Sequence, residues 1–157
     1  FKVGVAIYGY AGEIDKRGVL NGVQVAADTR VMSAAFDIDN PGNAHVRMTA
    51  QWGIWPVDQF PGIEAVGLIP DLGNDDLQLP ESVLMAGWVP NTPVLGGNRR
   101  QILHAAAHQL TPGRYVFAAL GELGAESFRR AVEFQVPAAA PTRIAGEQQE
   151  AGGSDIR

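Results

Sequence analysis

Pro93-Val94-Leu95-Gly96-Gly97-Asn98-Arg99-Arg100, then Leu110-Thr111-Pro112-Gly113-Arg114-Tyr115, then Phe134-Gln135-Val136, mark the stretch that decides the fold. It reads as three consecutive β-strands with two tight connections, at residues 99–109, 114–120 and 127–136. Proline presets the torsion of the first turn position and glycine tolerates a positive torsion at the next, so Pro112-Gly113 predicts a reversal into a partner strand. In the last strand Phe128, Arg130, Val132, Phe134 and Val136 alternate with Arg129, Ala131, Glu133 and Gln135. A period of two, with one mostly apolar and one mostly polar face, defines a half-buried strand. Ala105-Ala106-Ala107 favours helix by intrinsic propensity, but the turn that follows at once gives residues 99–109 to a strand. The class is all-β, and this stretch closes an antiparallel sandwich.

Working upstream, residues 45–55 alternate Val46, Met48, Ala50, Trp52 and Ile54 against Arg47, Thr49, Gln51, Gly53 and Trp55. A strand at residues 30–39 precedes it. Asn40-Pro41-Gly42-Asn43 between them is strong turn chemistry and predicts a hairpin. Residues 19–27 form another strand, interrupted by Asn21-Gly22; that pair favours a hairpin turn too, but its left flank is short. A loop over residues 9–18 carries Glu13, Asp15, Lys16 and Arg17. At the start of the chain, Phe1, Val3, Val5 and Ile7 share one face of a strand over residues 1–8.

Between Pro56 and Pro93, prolines recur at 61, 70, 80 and 90. Proline cannot donate to a ladder, so only short strands fit, at residues 63–69 and, as an edge, 82–89. Asp71, Asp75 and Asp76 share a loop between them. After Val136, Pro137-Ala138-Ala139-Ala140-Pro141 leaves the sheet, and residues 142–157 are polar and rich in Gly, Glu and Gln, an irregular tail.

Composition narrows the function. The 157 residues suit one ordinary domain. A net charge of −5 argues against a general nucleic-acid binder, which needs a basic face. The doublets Arg99-Arg100 and Arg129-Arg130 each divide between two strand faces. No apolar run approaches the roughly 20 residues of a membrane span. Zero cysteines excludes disulfides and thiolate metal sites. The chain begins at Phe1, as removal of a signal peptide or a cut from a longer protein would give.

No catalytic signature stands out. His104 and His108 are four apart, but Ala105 stands where a zinc protease needs its glutamate. On a strand they lie about 13 Å apart, too far to share an ion. Asp37-Ile38-Asp39 with Gly42 has the outline of a calcium loop, yet Met48 occupies the position due a glutamate. Asp71, Asp75 and Asp76 are weak metal candidates, with a solvated acidic loop the plainer reading. No serine sits in a G-x-S-x-G elbow. Gly9-Tyr10-Ala11-Gly12 and Gly121-Glu122-Leu123-Gly124 lack the phosphate-binding pattern. No cofactor is expected. Among the aromatic residues, Trp52 falls on the core face and Trp55 on the opposite parity, which makes Trp55 the surface candidate.

In order, the turn motifs through Asn40-Pro41-Gly42-Asn43-Ala44-His45-Val46-Arg47, Pro93 to Arg99, Leu110 to Tyr115 and Phe134-Gln135-Val136 resemble the bacterial periplasmic pilus-assembly chaperone-like proteins. The match covers the last strand of their first immunoglobulin-like domain and nearly all of the second. It implies a lone strand at residues 1–8, an immunoglobulin-like sandwich at 9–136 with a proline-rich insertion, and a tail at 137–157. It further implies an exported, non-enzymatic module that binds protein by strand pairing. The first domain's basic residues have no counterpart here. A strand with one apolar face and no sheet must fold back on its own sandwich or add to another chain's edge. Phe1, Val3, Val5, Ile7 and Trp55 are therefore the candidate protein-binding residues, for a partner or for self-association. A structural or adhesive filament subunit, and a carbohydrate- or calcium-binding accessory domain using Trp55, Trp88 and residues 71–76, are the alternatives.

Overall fold

The computed structural model describes residue 9 and residues 12–138. Eight strands run in order: β1 (Val19–Ala27), β2 (Val31–Asn40), β3 (Val46–Pro56), β4 (Met85–Trp88), β5 (Pro93–Val94), β6 (Asn98–Ala107), β7 (Gly113–Leu123) and β8 (Glu126–Val136). One sheet has the order β1-β2-β6; the other has the order β4-β3-β7-β8, with β5 also pairing β3. Every pairing is antiparallel. Three strands packed on a β3-β7-β8 sheet, with β4 added beside β3, is an immunoglobulin-like β-sandwich.

Two expected hairpins are instead crossings between sheets. β2 pairs β1 and β6, not β3. At its end Asn40, fully buried, donates from Nδ2 to the carbonyls of Ala44 and Val94, both at 2.8 Å, and accepts from Gly42 N at 3.0 Å. That satisfied polar knot carries the chain across. A Cβ on Gly42 would lie 2.3 Å from the Asp15 carbonyl oxygen, so glycine is required there for backbone to pass backbone. The Pro112-Gly113 connection likewise leads from β6 into the opposite sheet rather than into a partner. Tyr115 Oη donates to Thr111 O at 2.7 Å, with Tyr115 6% exposed. This is the tyrosine corner of immunoglobulin-like domains. Turn chemistry reports that the chain bends, not whether it returns to the same sheet.

The true hairpins are β1–β2 and β7–β8. In the first, the Asp28 carboxylate accepts from Arg30 N and Val31 N, both at 2.7 Å. In the second, Gly124 has φ 67°, the left-handed conformation that a two-residue turn demands.

Phe36, Met32 and Ile38 of β2 meet Met48, Trp52 and Ile54 of β3 and Phe117 of β7 in the core. A second cluster joins Trp55, Val66, Ala118 and Leu120, with Phe60, Ile63 and Val83 packed against it. The proline-rich segment thus covers the outer face of β3 and β7. Residues 63–69 do not form a strand: Ile63–Ala65 is a 3-10 turn and the rest is irregular. Gln51, itself buried, fastens the segment by donating to Ile69 O at 2.9 Å and accepting from Ile69 N at 2.7 Å.

Candidate functional site

Four strand edges flank the two described sheets, and three are covered or blunted. β1 packs alongside β8, and Arg17 bridges to Gly124 at that side. β8 carries Arg129, Arg130 and Glu133, and the Arg129 guanidinium donates to the carbonyls of Ile63 and Val66 in the segment that overlies it. β4 is four residues long, between Pro80 and Pro90. Short strands, charges and prolines are the usual ways a sheet blunts its edge.

The edge of β6 lacks these protections. Its ten residues pair only with β2 among the described strands. From Gln101 to Ala107 it holds no Asp, Glu, Lys, Arg or Pro. Alternate backbone N–H and C=O groups therefore face outward along an uncharged, proline-free strand, the arrangement an added strand pairs with. Leu103 on its outer face is 68% exposed. At its start, Arg99 Nε donates to Asp37 Oδ1 of β2 at 2.8 Å, and Nη2 donates to Oδ2. That pairing holds the Asp37 carboxyl below its ordinary range and raises the Arg99 guanidinium.

Beneath this edge the sandwich is incompletely covered. Ile102 is buried, but His104 and Ala106, on the same inward face, are only half-buried. His104 packs against Trp52 of β3, ring centroids 5.1 Å apart and ring planes inclined by 48°. The indole lies over Gly87 of β4, where a Cβ would come within 2.9 Å of the ring. Neither Trp52 Nε1 nor His104 Nε2 has a hydrogen-bond partner among the described residues. Burial pushes the His104 pKa below its ordinary value and favours the neutral ring. Met85, Ala107, His108 and Gln109 line a shallow cleft at the far end of the edge.

The site residues named from sequence divide sharply. Phe1, Val3, Val5 and Ile7 lie outside the described residues. Trp55 does not face solvent: it is 5% exposed and meets Phe60 edge-on at 5.6 Å. β3 is covered on both faces, so parity along the strand does not distinguish inside from outside. Trp88 is 49% exposed and donates from Nε1 to Leu72 O at 2.8 Å, which places it beside the acidic loop, without Trp55. Asp71, Asp75 and Asp76 do not gather: no group of three or more His, Asp or Glu side chains among the described residues is arranged to hold a metal ion. His108 is spent on structure, its Nε2 against Asp28 O at 3.1 Å while Nδ1 accepts from Leu110 N at 3.2 Å. No helix among the described residues is long and apolar enough to cross a membrane. The edge of β6 escaped the sequence reading because the Pro-Gly turn gave that strand a false partner.

Fold and site together define an immunoglobulin-like sandwich in which, among the described residues, the edge of β6 is uncovered. No family model matches the chain, and no curated protein matches it. Among solved structures it is similar to the alkylpurine DNA glycosylase AlkC of Pseudomonas fluorescens bound to DNA containing an abasic site analog, at 12% identity and a TM-score of 0.45. That likeness covers 79% of this chain and 31% of the other. It is also similar to beta-glucosidase 3B from Thermotoga neapolitana in complex with glucose, at 10% identity and a TM-score of 0.47, over 78% of this chain and 16% of that one. The chain thus spans less than a third of either protein, and neither likeness speaks to its activity.

Proposed function

We propose that the chain is a non-enzymatic protein-binding and assembly module that captures an extended segment by adding it to the β6 edge. The single observation that carries this reading is the edge itself: ten residues long, paired on one side only among the described strands, and free of charge and proline from Gln101 to Ala107. The half-buried His104 and Ala106 beneath it supply the apolar floor against which alternate side chains of an incoming strand pack. A place in the bacterial envelope, exported as a relative of the pilus chaperones, belongs to the same proposal and rests on the resemblance of the turn motifs.

The test is molar mass in solution over a dilution series, on the chain lacking residues 1–8 and on the same chain with Leu103→Lys and Ala105→Lys. Both positions face outward on β6, so lysine there blocks edge pairing without entering the core. The expected result is concentration-dependent association through the edge that the two lysines abolish. A monomer at every concentration, with or without them, counts against the proposal.

A further inference from the structure

The proline-rich segment leaves a cleft where it crosses the outer face of β7 and β8. Val66 and Ile69 are buried, and Gln51 holds Ile69 by two hydrogen bonds. Leu68, between them, is therefore fixed in place, yet it is 61% exposed. It lines a cleft of about 450 Å³ together with Glu64 of the same segment, Leu120 and Glu122 of β7, and Arg129 and Arg130 of β8. That volume lies in the range of small-molecule sites. Leu120 is the partner of Arg129 across the β7–β8 ladder, so an apolar floor and a guanidinium stand side by side.

Arg129 is held without being neutralised. Its Nη1 donates to the carbonyls of Ile63, at 3.2 Å, and of Val66, while Nε and Nη2 have no hydrogen-bond partner among the described residues. Arg99 shows what those two atoms do elsewhere in the molecule: its Nε and Nη2 together grip the Asp37 carboxylate. Arg130 folds back to donate from Nη1 to Arg129 O at 2.8 Å, and it lines the same cleft. Among the described residues neither these arginines nor Glu64 and Glu122 are ion-paired. Two arginines against two glutamates leave the lining without net charge. A polyanion such as phosphate meets repulsion from both glutamates, and a hydrocarbon leaves all four charges unmatched. A zwitterion with an apolar body matches every part of the lining.

We propose that this cleft binds a short apolar peptide as its zwitterion. The carboxylate sits on the Nε–Nη2 side of Arg129, apolar side chains lie on Leu68 and Leu120, and the ammonium turns towards Glu64 and Glu122. The site is separate from the β6 edge, and neither reading depends on the other. Because two carbonyls already hold the Arg129 guanidinium, little side-chain freedom is lost when the ligand binds. A two-armed, charge-assisted hydrogen bond is stronger than an ion pair between exposed groups, so the carboxylate contributes more than the ammonium.

A titration of the full chain with the dipeptide Leu-Leu, followed residue by residue through amide NMR shifts, tests the cleft. The comparison ligands are Leu-Leu amide, which lacks the carboxylate, and N-acetyl-Leu-Leu, which lacks the ammonium. The expected result is saturable one-to-one binding with shifts centred on residues 63–69 and 120–130. Amidation weakens binding by about tenfold or more, and acetylation by about two- to fivefold. Arg129→Lys keeps the charge but loses the fork, and should reproduce the effect of amidation. Since Arg129 also supports Ile63 and Val66, the amide ligand on the unmodified chain tests the carboxylate with no change to the fold. An absence of saturation, or equal binding of the acid and the amide, overturns the proposal. Shifts centred elsewhere overturn it too; at residues 101–107 they place the peptide on the β6 edge and leave that acceptor standing.

Discussion

Trp52 and His104 meet across the two sheets with their ring planes tilted 48° to each other and centroids 5.1 Å apart, and Trp52 Nε1 and His104 Nε2 both lack a hydrogen-bond partner among the described residues. The pair sits under the β6 edge, so its state reports on how that side of the sandwich is covered. Because burial lowers the His104 pKa, the fold favours the neutral ring while the unfolded chain protonates nearer 6.5. The stability this contributes is complete above pH 6.5 and is lost as pH falls from there through the lowered folded value. Thermal melts of the protein and of His104→Phe between pH 8 and 5 should diverge, with the unmodified chain losing stability in acid and the variant holding flatter. Parallel curves would mean that His104 titrates as it does in water.

At lower pH the carboxylates take over. Asp28 is held below 3.8 mainly by the amide of Val31, then that of Arg30, and Asp37 mainly by its hydrogen bond to Arg99. Their contribution is present above pH 3.8 and disappears as pH falls through the lowered folded values. Asp28→Asn and Asp37→Asn should each lower stability at neutral pH and flatten the acid limb, so that the curves of variant and unmodified chain converge as pH falls towards 2. Unfolding titrations from pH 5 to 2 check this.

Asn40 is fully buried and its amide is bonded through both Nδ2 and Oδ1. Asn40→Ala strands the buried carbonyls of Ala44 and Val94, and should destabilise the fold by about 2–3 kcal/mol in denaturant titrations. A loss under about 0.5 kcal/mol would mean that water satisfies both carbonyls.

Tyr115→Phe keeps the ring against Phe134, 5.8 Å away, and removes the two bonds of the hydroxyl to Thr111, one to its carbonyl and one to its Oγ1. The expected loss is about 1 kcal/mol. By contrast Trp55→Ala empties the second core cluster, with an expected loss of about 3–5 kcal/mol. It should leave strand pairing at β6 intact, which a surface role for Trp55 contradicts.

Much of the sandwich was legible where one strand face meets water. Val19–Ala27 appears with its predicted limits, and the alternation of Phe128, Phe134 and Val136 matches their burial in β8. Legibility failed where a long-range partner decides. Asn40-Pro41-Gly42-Asn43 and Pro112-Gly113 mark bends correctly, but the sheet that receives the chain is set by contacts such as Asn40 with Val94, 54 residues away. Trp55 was misread because a proline-rich segment without strand periodicity folds over its face. The tyrosine corner does have a local trace, Tyr115 just after Pro112-Gly113 at the start of a strand. The edge of β6, unpaired among the described strands, leaves no local trace in the sequence, because pairing on an edge is a property of topology.

The most direct test of the β6 edge as an acceptor is a binding isotherm of the synthetic peptide Phe1 to Tyr8 on the chain lacking residues 1–8, repeated with Leu103→Lys and Ala105→Lys. Circular dichroism of both proteins verifies that each remains folded. Saturable one-to-one binding, weakened at least tenfold by the two lysines, is the predicted result. Equal binding by both proteins, or none by either, would contradict it.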